Sequence, residues 1–233
     1  MNWEDLVDKY SGSVWLVCGG PSMRGFDFSE LRGPTAAVNQ IGALFEPDFW
    51  FGNDELEKYP LEFWQTPTIK LLRDGVSHRP TGDNIVYYDA TSHDRALRGD
   101  FLTSPRVVWS APARWHGGVT VKKSVMLAAI GALYRLGFRE IVLIGCDWSQ
   151  SLENPYGHDL KQMDEELVRF SNRQFRIMDQ WFCQLEPLFR HHCLKIINAT
   201  DGGGLEIFER ADWREISRKW KNQPELAEID REI

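Results

Sequence analysis

The sequence contains no apolar run near the roughly 20 residues that a membrane-spanning helix needs, so no membrane span is expected. It has no basic surplus either: 34 acidic residues against 27 basic ones leave a net charge of −7. That balance argues against broad, sequence-independent attraction to a nucleic-acid backbone, while leaving room for a local basic cleft. Cysteine is scarce, with four in 233 residues and no CxxC pair. A disulfide framework and a zinc ribbon are therefore disfavoured, and Cys18, Cys146, Cys183 and Cys193 read as buried free thiols. His191, His192 and Cys193 are adjacent, so they point in different directions on a helix, and no second cluster answers them as metal ligands. Internal repeats and low-complexity tracts are missing. The first residues, MNWEDLVDKYSGS, carry acids where a signal peptide would carry a basic and then an apolar region, which leads to the expectation of a cytoplasmic protein.

What is present is a series of strand signals separated by helical segments. SVWLVCG is an apolar run closed by glycine, and PTAAVNQ, PDFWFGND, TIKLLRD, NIVYYDA and RVVWSA continue the pattern. TVKKSVMLAAIGALYRLG is the clearest helix, with Gly137 placed as its C-terminal stop. It leads into the uniformly apolar strand REIVLIGCDW, a long amphipathic segment from Lys161 to His192, and a last strand LKIINAT. Uniformly apolar strands alternating with helices predict an α/β fold of the Rossmann-like kind, a mostly parallel sheet with helices on both faces. Residues 1–210 read as this domain. Residues 211–233 read as a charged tail, with a helix carrying Trp213 and Trp220 docked on the body and a loose end beyond it.

In such sheets ligands sit at the carboxyl ends of the strands, where loops gather and helix N-termini point outward. Polar or glycine-rich residues just after an apolar strand are therefore the candidates. In CGGPSM, Gly19 and Gly20 allow a close approach to the backbone and Ser22 offers a hydroxyl. The spacing is neither GxGxxG nor GxxxxGK[ST], so a hydride-transferring dehydrogenase and an ordinary kinase are disfavoured. Asn39 and Gln40 follow one strand, and Asn53 with Asp54 follows the next. Side-chain amides there both donate and accept, which suits a base or a ribose. After REIVLIGCDW come Asp147, Tyr156, His158 and Asp159, which together offer a phenol, a proton-transferring imidazole and carboxylates. GGVT adds Thr120 and Ser124 at the start of the long helix, and NATDGGG adds a permissive loop. Arg114, Trp115 and His116, just before that helix, could stack a sugar or a flipped base.

The order CGGPSM, VNQ, FWFGN, LGFREIVLIGCDW and a loop bearing tyrosine and histidine resembles the bacterial sialyltransferases of glycosyltransferase family 42. It is equally similar to their relatives, the archaeal-type 6-hydroxymethyl-dihydropterin pyrophosphokinases. The resemblance runs from about Val14 to Phe208 and implies a GT-A-like variant of the Rossmann-like architecture. It implies that Gly19, Gly20, Ser22, Asn39 and Asn53 hold a nucleotide sugar and that Tyr156 faces the leaving phosphate. It also implies that no metal is required. The sialyltransferase lid histidine aligns near Phe170 and Ser171, neither of which is a base, so His158 would take that role from an earlier point in the loop. A histidine soon after the glycine-aspartate strand end matches the pyrophosphokinase branch instead, in which Asp147 and Asp159 would hold Mg2+.

The leading expectation is therefore a glycosyltransferase that moves a sugar from a nucleotide-sugar donor to an acceptor hydroxyl, on a glycan or on a hydroxymethylated base in viral DNA. The alternatives are a metal-dependent pyrophosphokinase acting on a pterin-like heterocycle, and a noncatalytic nucleotide-binding module. Self-association stays open.

Overall fold

The computed structural model describes residues 1–52, 56–75, 79–91, 102–103, 106–108, 124–158 and 163–222. Ten strands are arranged in two sheets among these residues. The larger sheet takes β1 (Ser13–Val17), β2 (Thr35–Val38), β3 (Phe49–Gly52), β4 (Ile69–Arg73), β5 (Ile85–Tyr88), β8 (Glu140–Ile144), β9 (Lys195–Asn198) and β10 (Glu209–Arg210). Its order is β10-β9-β8-β1-β2-β3-β4-β5, and every pairing is parallel. The described part of the segment RVVWSA, residues 106–108, is not a strand of this set. Its two residues Val107–Val108 form β7, which pairs with β6 (Ala90–Thr91) in a separate parallel ribbon.

Four α-helices are described: α1 (Leu61–Gln65), α2 (Val125–Leu136), α3 (Glu165–His191) and α4 (Trp213–Lys221). The clearest predicted helix begins later than its sequence pattern, at Val125, because the Ser124 side chain accepts from the Leu127 N–H and caps it there. Gly137 ends it at φ 117°, a left-handed conformation that side chains avoid. In α3, Asp164 accepts from the Leu167 N–H, Glu165 and Glu166 occupy the positive end, and Arg190 and His191 occupy the negative end.

Successive strand residues point to opposite faces, and both faces are apolar. Leu16, Val38, Phe49, Leu71 and Leu143 pack with α2 and with Trp181, Phe182, Leu185 and Phe189 of α3. Trp15, Val17, Trp50, Leu72 and Ile144 pack on the other side with Phe63 of α1 and Trp213 and Trp220 of α4. Burial on both faces is what makes the strands read as continuous apolar runs. The docked tail helix follows from the seven-residue spacing of Trp213 and Trp220, which puts both rings on one face. Ser217, on that face, accepts from the Arg32 N–H and donates to the Glu30 carbonyl. The loose end expected after it lies outside the described residues.

All four cysteines are free thiols, but only Cys18 and Cys146 are buried; Cys183 and Cys193 are exposed. Cys183 sits on a helix whose apolar stripe it does not share, and Cys193 lies in the turn after α3 at φ 55°. Among the described residues no group of three histidine, cysteine or acidic side chains is placed to hold a metal. No helix among them is long and apolar enough to cross a membrane.

Candidate functional site

Starting at β1, the chain builds the sheet outward through β2, β3, β4 and β5, then returns to the other side of β1 with β8, β9 and β10. The order therefore reverses between β1 and β8, and the loops leaving these two strands part in opposite directions. A crevice outside the strand tips is the geometric result. A cavity of ≈ 670 Å³ lies there, lined by residues that follow β1, β2 and β8 and by the face of α3. Gly19, Gly20, Asn39, Gln40, Ser124, Asp147, Tyr156 and His158 all line it.

Gly20 has a different reason from the one expected of the pair. A Cβ on Gly20 would stand 2.0 Å from Asp147 Oδ2 and 2.4 Å from the Gly145 carbonyl oxygen. What approaches the backbone at Gly20 is thus the protein's own β8 tip, locked by the Gly20 N–H donating to that same carbonyl at 2.9 Å. Gly19 is the one open to the cavity: a Cβ there would meet His158 Nε2 first, at 3.6 Å. Ser22, predicted to meet a ligand, instead donates its N–H to Asp147 Oδ1 at 2.9 Å and its hydroxyl to Asp147 Oδ2 at 2.8 Å, and it is not among the lining residues. Burial pushes the Asp147 carboxyl above its ordinary value, and the two Ser22 hydrogen bonds oppose this. The NATDGGG loop also serves as support: Thr200 Oγ1 accepts from the Cys146 N–H at 2.9 Å, and the Gly204 N–H donates to the Asp147 carbonyl at 2.8 Å.

Asn39 is held in the left-handed region at φ 52°. Its carbonyl accepts from Trp50 Nε1 at 2.8 Å, and that indole is fixed between Gly42 and Gly52, where a Cβ would come within 2.3 and 2.1 Å of the ring. The Asn39 side-chain oxygen is buried and has no hydrogen-bond partner among the described residues. A strained residue with an unsatisfied acceptor, at the lip of a cavity, is a feature that folding alone disfavours.

Across the cavity Tyr156 and His158 stack with ring centroids 5.0 Å apart and planes 5° from parallel. Their loop is tied to the glycine turn by the Gly157 N–H donating to the Gly19 carbonyl at 3.1 Å and by Arg24 Nη2 donating to the Tyr156 carbonyl at 3.1 Å. His158 is 6% exposed although it lines the cavity.

Two groups of lining residues do not stand out in the sequence. Leu167, Phe170, Ser171, Gln174, Phe175 and Met178 form one stripe of α3 and make up a wall of the cavity. Their spacing of three and four marks one helix face in the sequence without marking what that face meets. Trp148 joins this wall at φ 59°, stacked on Phe175 at 5.1 Å. The second group, Cys18, Cys146 and Met126, carries no polar signal at all. Asn53, Asp159, Thr120, Arg114, Trp115 and His116 lie outside the described residues. Asp147 is the only carboxylate among the described lining residues, so magnesium would need further oxygen ligands from elsewhere.

No family model matches this chain, and no curated protein matches it. Among solved structures, the MAf glycosyltransferase from Magnetospirillum magneticum AMB-1 is similar at a TM-score of 0.43 and 14% sequence identity. That similarity covers 95% of this chain and 37% of the other.

Proposed function

We propose that the chain is a nucleotide-sugar-dependent glycosyltransferase. The observation that carries this reading is the meeting, in one cavity at the β1/β8 reversal, of the Gly19 turn, the buried Asn39 oxygen and the Tyr156–His158 stack. Its ≈ 670 Å³ falls within the range of about 300–1,000 Å³ typical of small-molecule sites. Asn39 and Gln40 receive the nucleoside, with Asn39 Oδ1 accepting an N–H or O–H of the ligand. The backbone beside Gly19 lets the phosphate come close. Tyr156 donates its phenolic hydrogen to the phosphate oxygen as it leaves, and His158 removes the acceptor hydroxyl proton as the new glycosidic bond forms. Arg114, Trp115 and His116 are the candidates for recognising an acceptor glycan or modified nucleobase.

A thermal-shift screen against cytidine, uridine, guanosine and adenosine nucleotides, each with and without magnesium, tests the reading, because a ligand that binds only the folded chain raises its apparent stability. Stabilisation by a pyrimidine or guanosine nucleotide, lost on Tyr156→Phe with His158→Ala, is the expected result. Stabilisation by ATP alone, and only with magnesium, would replace sugar transfer with diphosphate transfer. Stabilisation by none of the four would remove the nucleotide from the site.

A further inference from the structure

Three sulfur atoms meet in this cavity, and none of the steps above uses them. Cys18 follows the tip of β1, Cys146 follows the tip of β8, and Met126 stands in the first turn of α2. Cys146 Sγ lies 3.9 Å from Met126 Sδ, and Cys18, whose backbone N–H donates to the Ile144 carbonyl at 2.8 Å, is held at the neighbouring strand tip and lines the same cavity. The three side chains belong to one core cluster, and all of them line the cavity. They are hidden from bulk solvent but meet whatever occupies that space.

The donor set is selective. Hard cations such as magnesium and calcium require oxygen ligands. Zinc takes thiolate, imidazole and carboxylate, and a thioether adds little for it. Two thiolates with one thioether are the soft donors that select Cu(I). We propose that Cys18, Cys146 and Met126 form a binding site for a soft monovalent metal ion, Cu(I), inside the cavity. Binding forms two copper–thiolate bonds and one copper–thioether bond and releases both thiol protons, with no change in oxidation state. The site is independent of whether the cavity takes a nucleotide.

The test uses the full chain with Cys183→Ser and Cys193→Ser, which removes the two exposed thiols. It is titrated without oxygen against Cu(I) held by a chromophoric chelator. One Cu(I) per chain is expected to leave the chelator, with three sulfur neighbours in its X-ray absorption spectrum. Met126→Leu should lower the affinity by about tenfold or more, a loss that even a residue outside the ligand set can cause, and should leave two sulfur neighbours. Cys18→Ser should abolish stoichiometric uptake. Circular dichroism of each variant without metal establishes that it is folded, and if Cys18→Ser does not fold, Met126→Leu decides. Copper remaining on the chelator, or a folded Met126→Leu chain that binds it with unchanged affinity and sulfur count, would overturn the proposal.

Discussion

Asp147 holds Ser22 with both carboxylate oxygens, at 2.9 Å to the backbone N–H and 2.8 Å to the hydroxyl, across 125 residues of chain. The pair fastens the tip of β8 to the turn after β1, the two places between which the cavity opens. Removing the hydroxyl by Ser22→Ala deletes one charge-assisted bond and is expected to cost about 1.5–3 kcal/mol. Asp147→Ala should cost more, since it orphans both Ser22 donors. Urea denaturation of the two variants measures this, and a loss below about 0.5 kcal/mol for Ser22→Ala, the range of an ordinary surface change, would show that the clamp is idle.

The neighbouring glycines should answer alanine in opposite ways. Gly20→Ala drives a methyl into Asp147 Oδ2 and the Gly145 carbonyl at 2.0 and 2.4 Å, and backbone on one side cannot yield as a side chain would. A destabilisation of about 3 kcal/mol, the upper part of the overpacking range, is expected. Gly19→Ala meets nothing closer than 3.6 Å, so it should keep its unfolding midpoint while its methyl reaches into the cavity beside His158. Equal midpoints for the two variants would contradict the described turn.

The difference between these glycines shows where sequence reading succeeds and where it stops. The sheet was legible because β1, β2, β3 and β8 are buried on both faces and so carry nearly continuous apolar runs. Gly19, Asn39, Tyr156 and His158 were legible because each follows such a run, and a parallel sheet gathers those positions at one edge. The partner of Ser22 was not legible, since a contact across 125 residues leaves no local pattern. The α3 wall lay hidden for another reason: Leu167, Phe170 and Met178 have the spacing of any buried helix face, and only the folded chain separates a face that lines a cavity from one that meets the sheet. Val107–Val108 carried a strand signal that joins a separate ribbon, because β-branched apolar residues favour extended backbone whichever partner they find.

Asn39 tests the binding reading without disturbing the fold. Its φ of 52° is one that glycine adopts freely, and the Trp50 bond goes to its backbone carbonyl, which any residue keeps. Asn39→Gly should therefore fold with an unfolding midpoint close to that of the parent. It should weaken the nucleotide found in the thermal-shift screen by about tenfold to a hundredfold, the equivalent of roughly one to two hydrogen bonds to a buried acceptor. Calorimetric titration that finds the affinity unchanged would remove Asn39 Oδ1 from the ligand's contacts.

Lys70 is not among the residues that line the cavity. The side chain is completely buried in β4, with its ammonium donating to the Thr66 and Thr68 carbonyls at 2.8 and 3.0 Å. Burial pulls its pKa down from 10.5 to about 8, against the opposing pull of Glu46. Below about pH 8 both folded and unfolded chains carry the proton, so this lysine adds no slope. Between about 8 and 10.5 the unfolded chain holds a proton that the folded chain has released, so stability rises with pH, by at most about 1.4 kcal/mol per unit. Tyr10 opposes this from about pH 10 upward, because burial has raised its pKa to about 12 and the unfolded chain then loses its proton first. Lys70→Met isolates the effect: the two carbonyls keep Asn84 Nδ2 as a donor, at 2.6 and 2.9 Å, so none is orphaned. The variant should be more stable than the parent at pH 7, and its advantage should shrink as pH climbs toward 10. Denaturation midpoints of the two chains at pH 7, 8.5 and 10 measure that difference, and a constant gap across the three would mean that the buried ammonium keeps its proton throughout.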